Sequence, residues 1–143
     1  MSLQGAYDPD NVFARIVRGE IPSAKVWEDD RVLVILDAFP QARGHCLVLH
    51  KRSQARNLLD VEPEALHEVM AAVRRSARAV VNALNPDGVM VTQFNGAPAG
   101  QTIFHLHVHV IPRFEGERLG RHGGGMADMA DLRALAAEIA TSF

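Results

Sequence analysis

The chain has 143 residues, of which 48% are hydrophobic and 22% charged, a balance that is ordinary for one globular domain and excludes a disordered polar chain. Its net charge of −2 at pH 7 excludes the broad basic surface of a nucleic-acid binder, so we expect no nucleic-acid partner. No apolar run reaches the roughly 18 residues of a membrane span. The single cysteine, Cys46, excludes an internal disulfide and predicts a cytoplasmic location. We expect one domain over residues 1–143.

The first third of the chain predicts a short helix followed by three strands. Asp10 or Asn11 can cap the helix, which ends at Gly19. Its apolar face consists of Val12, Phe13, Ile16 and Val17. Residues 25–28 and 32–36 read as strands on either side of a tight turn, and residues 45–50 as a third strand.

A long amphipathic helix is predicted from Pro63 to Leu84, because apolar residues recur there at spacings of three and four. Residues 85–88 end it, and strands follow at 89–94 and 104–111, the last stopped by Pro112. A final helix is expected over about 128–140. Since most of the connections are too short for crossovers, the pattern predicts an α+β fold with an antiparallel sheet.

Three histidines, His105, His107 and His109, alternate along the last predicted strand and therefore share one face of it. Three interpretations are open. The histidines could be structural, two of them could bind a metal together with His45, or one could be a nucleophile. We favour the nucleophile, because a neutral imidazole attacks well near pH 7 and His107 has a neighbour on each side to orient it.

A glycine-containing loop precedes these histidines. Gly96 and Gly100 allow backbone N–H groups to approach a phosphate, and Gln101 and Thr102 add an amide and a hydroxyl. Alone, this loop could be an ordinary turn. Together with the three histidines it predicts a site for phosphoryl transfer.

The segments Asn95-Gly96, Ala99-Gly100-Gln101-Thr102 and His105-x-His107-x-His109-x-Ile111-Pro112-Arg113 resemble the signature of the histidine-triad (HIT) superfamily. The resemblance covers about residues 11–113 and leaves a C-terminal helical extension at 126–143. It implies a five-stranded antiparallel sheet with one long amphipathic helix and short flanking helices, and it implies a homodimer.

The activity that the resemblance implies is hydrolysis or nucleotidyl transfer at an α-phosphate, through a nucleotidyl-histidine intermediate and without a cofactor. The substrate would be a purine nucleotide adduct: a nucleoside phosphoramidate, an adenylyl adduct or a dinucleoside polyphosphate. The alternative is a non-catalytic nucleotide-binding or partner-binding regulatory module.

The resemblance also implies a role for each matching residue. His107 matches the nucleophile, and His105 and His109 match the residues that orient it and contact the phosphate. The remaining nucleotide-binding residues are Val12, Phe13, Ile16 and Leu36 for the base, Asp37 for the ribose, His45 as a site wall, and Asn95, Gly100, Gln101 and Thr102 for the phosphate.

One departure from the resemblance concerns zinc. Many bacterial relatives hold a structural zinc ion through cysteines, whereas the matching positions here are Asn11, Ala14 and Ser53. We therefore expect no metal. Two other histidines are not explained by the resemblance: we expect His50 to be an exposed strand-end residue, and His122 to belong to a mobile loop or to reach a ligand across a dimer.

Overall fold

Five strands form one antiparallel sheet in the computed structural model, which describes residues 2–143. The strands are β1 (Ala24–Glu28), β2 (Val32–Leu36), β3 (Cys46–His50), β4 (Gly88–Thr92) and β5 (His107–Arg113). Their order across the sheet is β1-β2-β3-β5-β4, so β5 lies between β3 and β4. The α+β fold with a five-stranded antiparallel sheet is confirmed.

Three helices accompany the sheet: α1 (Val12–Val17), α2 (Pro63–Leu84) and α3 (Met129–Ala140). The Asn11 side chain caps α1 by accepting a hydrogen bond from the Ala14 N–H at 2.9 Å. Asn85 ends α2 in the left-handed region, with φ of 50°. Asp128 caps α3. The bounds predicted for α2 are confirmed, and the expected C-terminal helix is present.

The two faces of the sheet carry different layers. Strand residues such as Val34, Val48, Val108 and Val110 form the main core with α2 and α3. The opposite face is smaller. Its buried apolar strand residues are Leu33, Ile35, Leu47 and Leu49, and they pack with Phe13 of α1. Because side chains alternate along β5, Val108 and Val110 face the main core, whereas His107 and His109 face the α1 side.

Strand β5 differs from its predicted bounds at both ends. It begins at His107, which pairs with Leu49 of β3, whereas Leu106 donates its N–H to the Ala55 carbonyl at 2.9 Å. His105 therefore precedes the strand. At the other end, β5 continues through Pro112. Pro112 pairs only with β4, so it can lack an N–H on the side where β3 no longer pairs with β5. The prediction that Pro112 stops the strand was wrong.

The expectation that His50 is exposed was also wrong. It is the last residue of β3 and is only 4% exposed. Its Nδ1 accepts the backbone N–H groups of Arg52 (3.1 Å) and Ser53 (2.9 Å), and its Nε2 lies 3.4 Å from Glu68 Oε1. His50 therefore fixes the turn that leaves the sheet.

Within residues 2–143, none of the helices combines the length and the apolar character that a membrane span needs.

Candidate active site

A cleft of about 850 Å³ opens on the α1 side of the sheet. Its apolar part is lined by the predicted base-binding residues Val12, Phe13, Ile16 and Leu36. Phe13 also touches the polar part, because the edge of its ring packs on the His107 ring with the ring centres 4.7 Å apart. Helix α1 thus brings an apolar slot directly beside the first histidine of β5.

Asp37 follows β2 and lies at the junction between the apolar slot and the histidines. Its Oδ1 accepts the Phe39 N–H at 2.8 Å, and its Oδ2 lies 3.5 Å from His45 Nε2. Burial raises the pKa of this carboxyl group, and the bond from Phe39 partly opposes the shift. The backbone bond fixes one carboxylate oxygen while the side chain still lines the cleft.

His107 is held in one tautomer by the backbone. Its Nδ1–H donates to the His105 carbonyl at 2.7 Å, so in the neutral ring Nε2 carries the free lone pair. Burial lowers the pKa of His107 to about 4, against the effect of this hydrogen bond, so the ring is neutral at pH 7. A side chain that lines the cleft with an unprotonated nitrogen can act as a nucleophile.

His105 lies behind His107 and does not line the cleft. Its Nε2–H donates to the His50 carbonyl at 3.2 Å, and its Nδ1 accepts the Tyr7 hydroxyl at 2.6 Å. Burial lowers its pKa to about 4. With both ring nitrogens bonded inside the protein, His105 can position His107 through its carbonyl but has no nitrogen left for a ligand.

A chain of hydrogen bonds also fixes the tautomer of His109. The Gln41 N–H donates to His45 Nδ1 at 3.1 Å, so the neutral His45 ring carries its proton on Nε2. His45 Nε2–H donates to His109 Nδ1 at 2.9 Å. Because His109 Nδ1 accepts this bond, the neutral His109 ring carries its own proton on Nε2. Burial lowers the pKa of His45 to about 4 and that of His109 to about 3.

The Nε2–H of His109 is an unused donor. It is buried and has no hydrogen-bond partner within residues 2–143, although a buried polar group almost always has one. His109 lines the cleft. A substrate oxygen that accepts this bond would satisfy the group.

Asp37, His45 and His109 also form the one cluster of metal-ligand types in the described part of the chain, with ligand atoms within 4.8 Å of one another. The hydrogen bonds do not fit a metal. A neutral histidine that coordinates through Nε2 carries its proton on Nδ1, but His45 Nδ1 faces the Gln41 N–H, which is itself a donor. The tautomers therefore favour a hydrogen-bonded pair of histidines over a metal centre.

The glycine loop contributes less to the cleft than its sequence predicts. Thr102 lines the cleft, but Asn95, Gly100 and Gln101 do not. Gln101 Oε1 accepts the Gly96 N–H (2.9 Å), and its Nε2 donates to the carbonyls of Arg56 (2.7 Å) and Ile103 (3.0 Å).

Asn95 is also engaged within the protein, because its Oδ1 accepts the N–H of Leu58 (2.9 Å) and the amide of Gln93 (3.0 Å). The side-chain oxygen of Asn95 and both ends of the Gln101 amide therefore brace the loop, and a phosphate contact by either side chain stays a prediction. Of the other predicted residues, His45 lies behind His109 rather than in the wall of the cleft.

The sequence interpretation missed several site residues, of which three have a clear role or position. Tyr7 and Gln41 orient His105 and His45, and nothing in their local sequence marks them. Met129, at the start of α3, lines the cleft. His122 also lines it, within its own chain, and its ring centre lies 5.6 Å from those of His109 and Phe94.

The positions matched to zinc ligands are used otherwise. Asn11 caps α1, and Ser53 Oγ donates to Glu62 at 2.6 Å. The nearby Tyr7 hydroxyl bonds to His105. The absence of a structural zinc ion stays a prediction.

Comparison with known proteins identifies the family. The family model described as HIT domain matches residues 18–116. A crystal structure of a HIT-like protein from Bartonella henselae, described as involved in cell-cycle regulation, has a TM-score of 0.92 and 44% identity, covering 97% of this chain and 100% of that one. A histidine triad nucleotide-binding protein from Sulfolobus tokodaii has a TM-score of 0.83 and 30% identity, covering 91% and 89%.

A curated relative from Arabidopsis thaliana, the adenylylsulfatase HINT3, is 40% identical over 119 residues, which is 79% of this chain and 60% of the relative. The matched domain contains β1 to β5 and therefore His107 and His109 of the cleft. The chain belongs to the HIT family and is a protein of its nucleotide-binding hydrolase and transferase kind.

Proposed function

We propose that the protein transfers or hydrolyses the nucleotidyl group of a nucleoside phosphoramidate, an adenylyl adduct or a dinucleoside polyphosphate, through an intermediate on His107. One observation carries the proposal. The His105 carbonyl holds the Nδ1–H of His107 and so leaves Nε2 as an unprotonated nitrogen on a ring that lines the cleft. That is the arrangement that nucleophilic catalysis by histidine needs.

The cleft offers a complementary surface for each part of a purine nucleotide. The apolar slot between Phe13 and Leu36 suits the base, and the Asp37 carboxylate can accept hydrogen bonds from the ribose hydroxyl groups. Thr102 and the unused Nε2–H of His109 lie on the phosphate side, next to His107. Contacts to the base and the ribose would hold the α-phosphorus in front of His107. The binding energy of the nucleotide would thereby orient the reacting atoms.

In the first step, the lone pair of His107 Nε2 attacks the α-phosphorus, and the bond to the leaving group breaks with its electron pair going to that group. His109 Nε2–H donates to a non-bridging oxygen, where negative charge is concentrated. In the second step, water attacks the phosphorus, the bond to His107 breaks, and the free nucleotide leaves.

The Arabidopsis relative supports the adenylyl adducts as one substrate class, because its name assigns it adenylyl sulfate. Adenylyl sulfate carries its leaving group directly on the α-phosphorus, as a phosphoramidate does. We carry this substrate class to the present chain as part of the proposal.

The test is a His107→Ala variant, with adenosine 5′-phosphoramidate and adenylyl sulfate as substrates. Loss of the nucleophile is expected to reduce turnover by at least about 10³-fold, which corresponds to about 4 kcal/mol. Binding of AMP, measured by calorimetry, is expected to change little, because the base and ribose contacts do not involve His107. The matched control is His67→Ala, which changes an exposed histidine on α2.

Rapid quench of the wild-type protein with labelled substrate is expected to trap an acid-labile nucleotidyl group on His107. An adduct on another histidine, or a His107→Ala variant with nearly full turnover, would contradict the mechanism. A wild-type protein that binds AMP but turns over neither substrate would show that the chain is a nucleotide-binding module instead.

A further inference from the structure

A third imidazole lines the cleft, beside those of His107 and His109, and it comes from outside the matched HIT domain. His122 belongs to the segment that connects β5 to α3, beyond residue 116, where the family match ends. Its side chain lines the cleft, and its ring centre lies 5.6 Å from that of His109. Unlike His45, His105, His107 and His109, which are all buried, His122 is exposed to water.

The segment that carries His122 is fastened to the protein on both sides of this residue. Before it, the Gly120 N–H donates to the Gln41 carbonyl at 2.7 Å, and Gln41 Nε2 donates to the Gly120 carbonyl at 3.0 Å. After it, the Ala127 N–H donates to the Ala38 carbonyl at 2.9 Å. These bonds anchor the segment to the chain that follows Asp37, so His122 has a defined place at the cleft.

The proposed function, on which this inference rests, leaves one proton unassigned. An amine can leave the phosphorus of a phosphoramidate only when its nitrogen receives a proton. We propose that His122 is the general acid that supplies this proton to the leaving group.

The other histidines cannot perform this role. Both ring nitrogens of His105 and of His45 are bonded within the protein, and His107 is occupied as the nucleophile. Burial lowers the pKa values of these three rings to about 4 and that of His109 to about 3, so all four are neutral at pH 7. His109 has one ring N–H, at Nε2, and the first step uses it for the non-bridging oxygen, so His109 has no proton left for the leaving nitrogen.

His122 also has the surroundings that repeated proton transfer requires. The titratable groups that face it are Asp37, His45, His107 and His109. A leaving group next to an oxygen held by His109 Nε2 comes within reach of His122, since the two rings are in edge contact. Water reaches the exposed ring, so the water molecule that attacks in the second step can return the proton to it.

The proton balance of the two steps closes. As His107 Nε2 forms its bond to phosphorus, the P–N bond of the substrate breaks. The leaving nitrogen takes a proton from protonated His122 and departs as a neutral amine. Neutral His122 then accepts a proton from the attacking water as the bond between His107 and phosphorus breaks, which releases the nucleotide and returns His122 to its protonated form.

The experiment compares two leaving groups in the full-length protein with the His122→Gln variant. Glutamine keeps a hydrogen-bond donor but cannot give up a proton. For the alkylamide of AMP, kcat/KM is expected to fall by about 10²-fold or more, the usual contribution of a general acid. For adenylyl sulfate, whose sulfate leaves without a proton, kcat/KM is expected to change less than about 3-fold, because its departure does not use the acid.

Two variants serve as controls: Arg121→Gln, which changes the neighbouring exposed residue of the same segment, and His67→Gln on α2. Both are expected to behave as the wild type with both substrates. Equal losses on the two substrates in His122→Gln would assign His122 a binding or structural role and overturn the proposal, and so would no loss on either. Wild-type protein that cleaves neither substrate would instead refute the proposed function.

Discussion

Four histidine side chains in the wall of the cleft or behind it are buried and neutral, and this makes the stability of the folded protein depend on pH. Burial lowers the pKa values of His45, His105 and His107 from 6.5 to about 4, and that of His109 from 6.5 to about 3. Between these values and 6.5, the unfolded chain binds protons that the folded chain does not. The stability that the neutral histidines provide is therefore complete above pH 6.5 and is lost as the pH falls.

We therefore predict that the free energy of unfolding decreases from pH 6.5 to pH 4, by up to about 1.4 kcal/mol per pH unit for each histidine. Asp37 has the opposite effect on the free energy of unfolding. Because its pKa is raised in the folded state, the folded chain binds a proton at a higher pH than the unfolded chain does, but this is one group against four histidines. Urea unfolding at a series of pH values measures the slope. A His105→Gln variant is expected to reduce it and His67→Gln to leave it unchanged. A flat profile from pH 7 to pH 5 would contradict the prediction.

Individual residues also show what sequence can and cannot predict about the site. The apolar slot and Asp37 line the cleft as expected, because helix periodicity and strand ends place them. Gln101 and Asn95 do not, because a polar side chain in a loop can bond either to a ligand or to the loop itself, and sequence carries no information on which bond forms. His50 was placed wrongly for the same reason: its bonds to two backbone N–H groups compensate its burial.

At the scale of the elements, the boundaries of β5 depend on its neighbours. The alternation of histidines predicted one strand that contains all three. Pairing with β3 ends at Leu49 and His107, however, so His105 lies before the strand. This displacement frees the His105 carbonyl to accept the Nδ1–H of His107. The bounds of α2 could be predicted because its start and end depend on local residues, Pro63 and Asn85.

The connection into β3 depends on Gly44, which precedes His45 and has φ of +88°. A Cβ atom there would lie 2.5 Å from Leu84 Cδ1 and 3.1 Å from Pro112 Cγ. We predict that Gly44→Ala lowers the free energy of unfolding by about 2 kcal/mol or more, from the left-handed backbone and the contact with α2. Urea unfolding of the variant and the wild type measures this change in the free energy of unfolding. The control is Gly88→Ala, where nothing lies within 4 Å, and an equal effect of both variants would contradict the explanation.

At the scale of the whole molecule, several large apolar side chains of α2 and β4 remain exposed. Met70 and Val81 of α2 are 45% and 43% exposed, and Val91 of β4 is 46% exposed. Strand β4 is an edge of the sheet, with an unpaired side that can meet another chain. Exposed apolar side chains and a free strand edge both favour self-association, so these features support the expected homodimer.

We predict a mass of twice 15.6 kDa by light scattering at micromolar concentration. Val91→Asp is expected to shift the mass toward that of the monomer, because a charge would be buried at the interface. Leu59→Asp, at a residue that is 70% exposed and outside α2 and β4, is the matched control and should leave the mass unchanged. A wild-type mass of 15.6 kDa would exclude the dimer.

The proton positions at the cleft are set by main-chain groups: the carbonyls of His105 and His50 and the N–H of Gln41. Every residue has such a carbonyl, and every residue but proline has such an N–H. The lone pair of His107 and the proton of His109 therefore depend on backbone atoms of residues 105 and 41, and a substitution that keeps this backbone in place keeps both. Part of the chemistry of this site therefore depends on the backbone conformation, which a comparison of residue identities does not record.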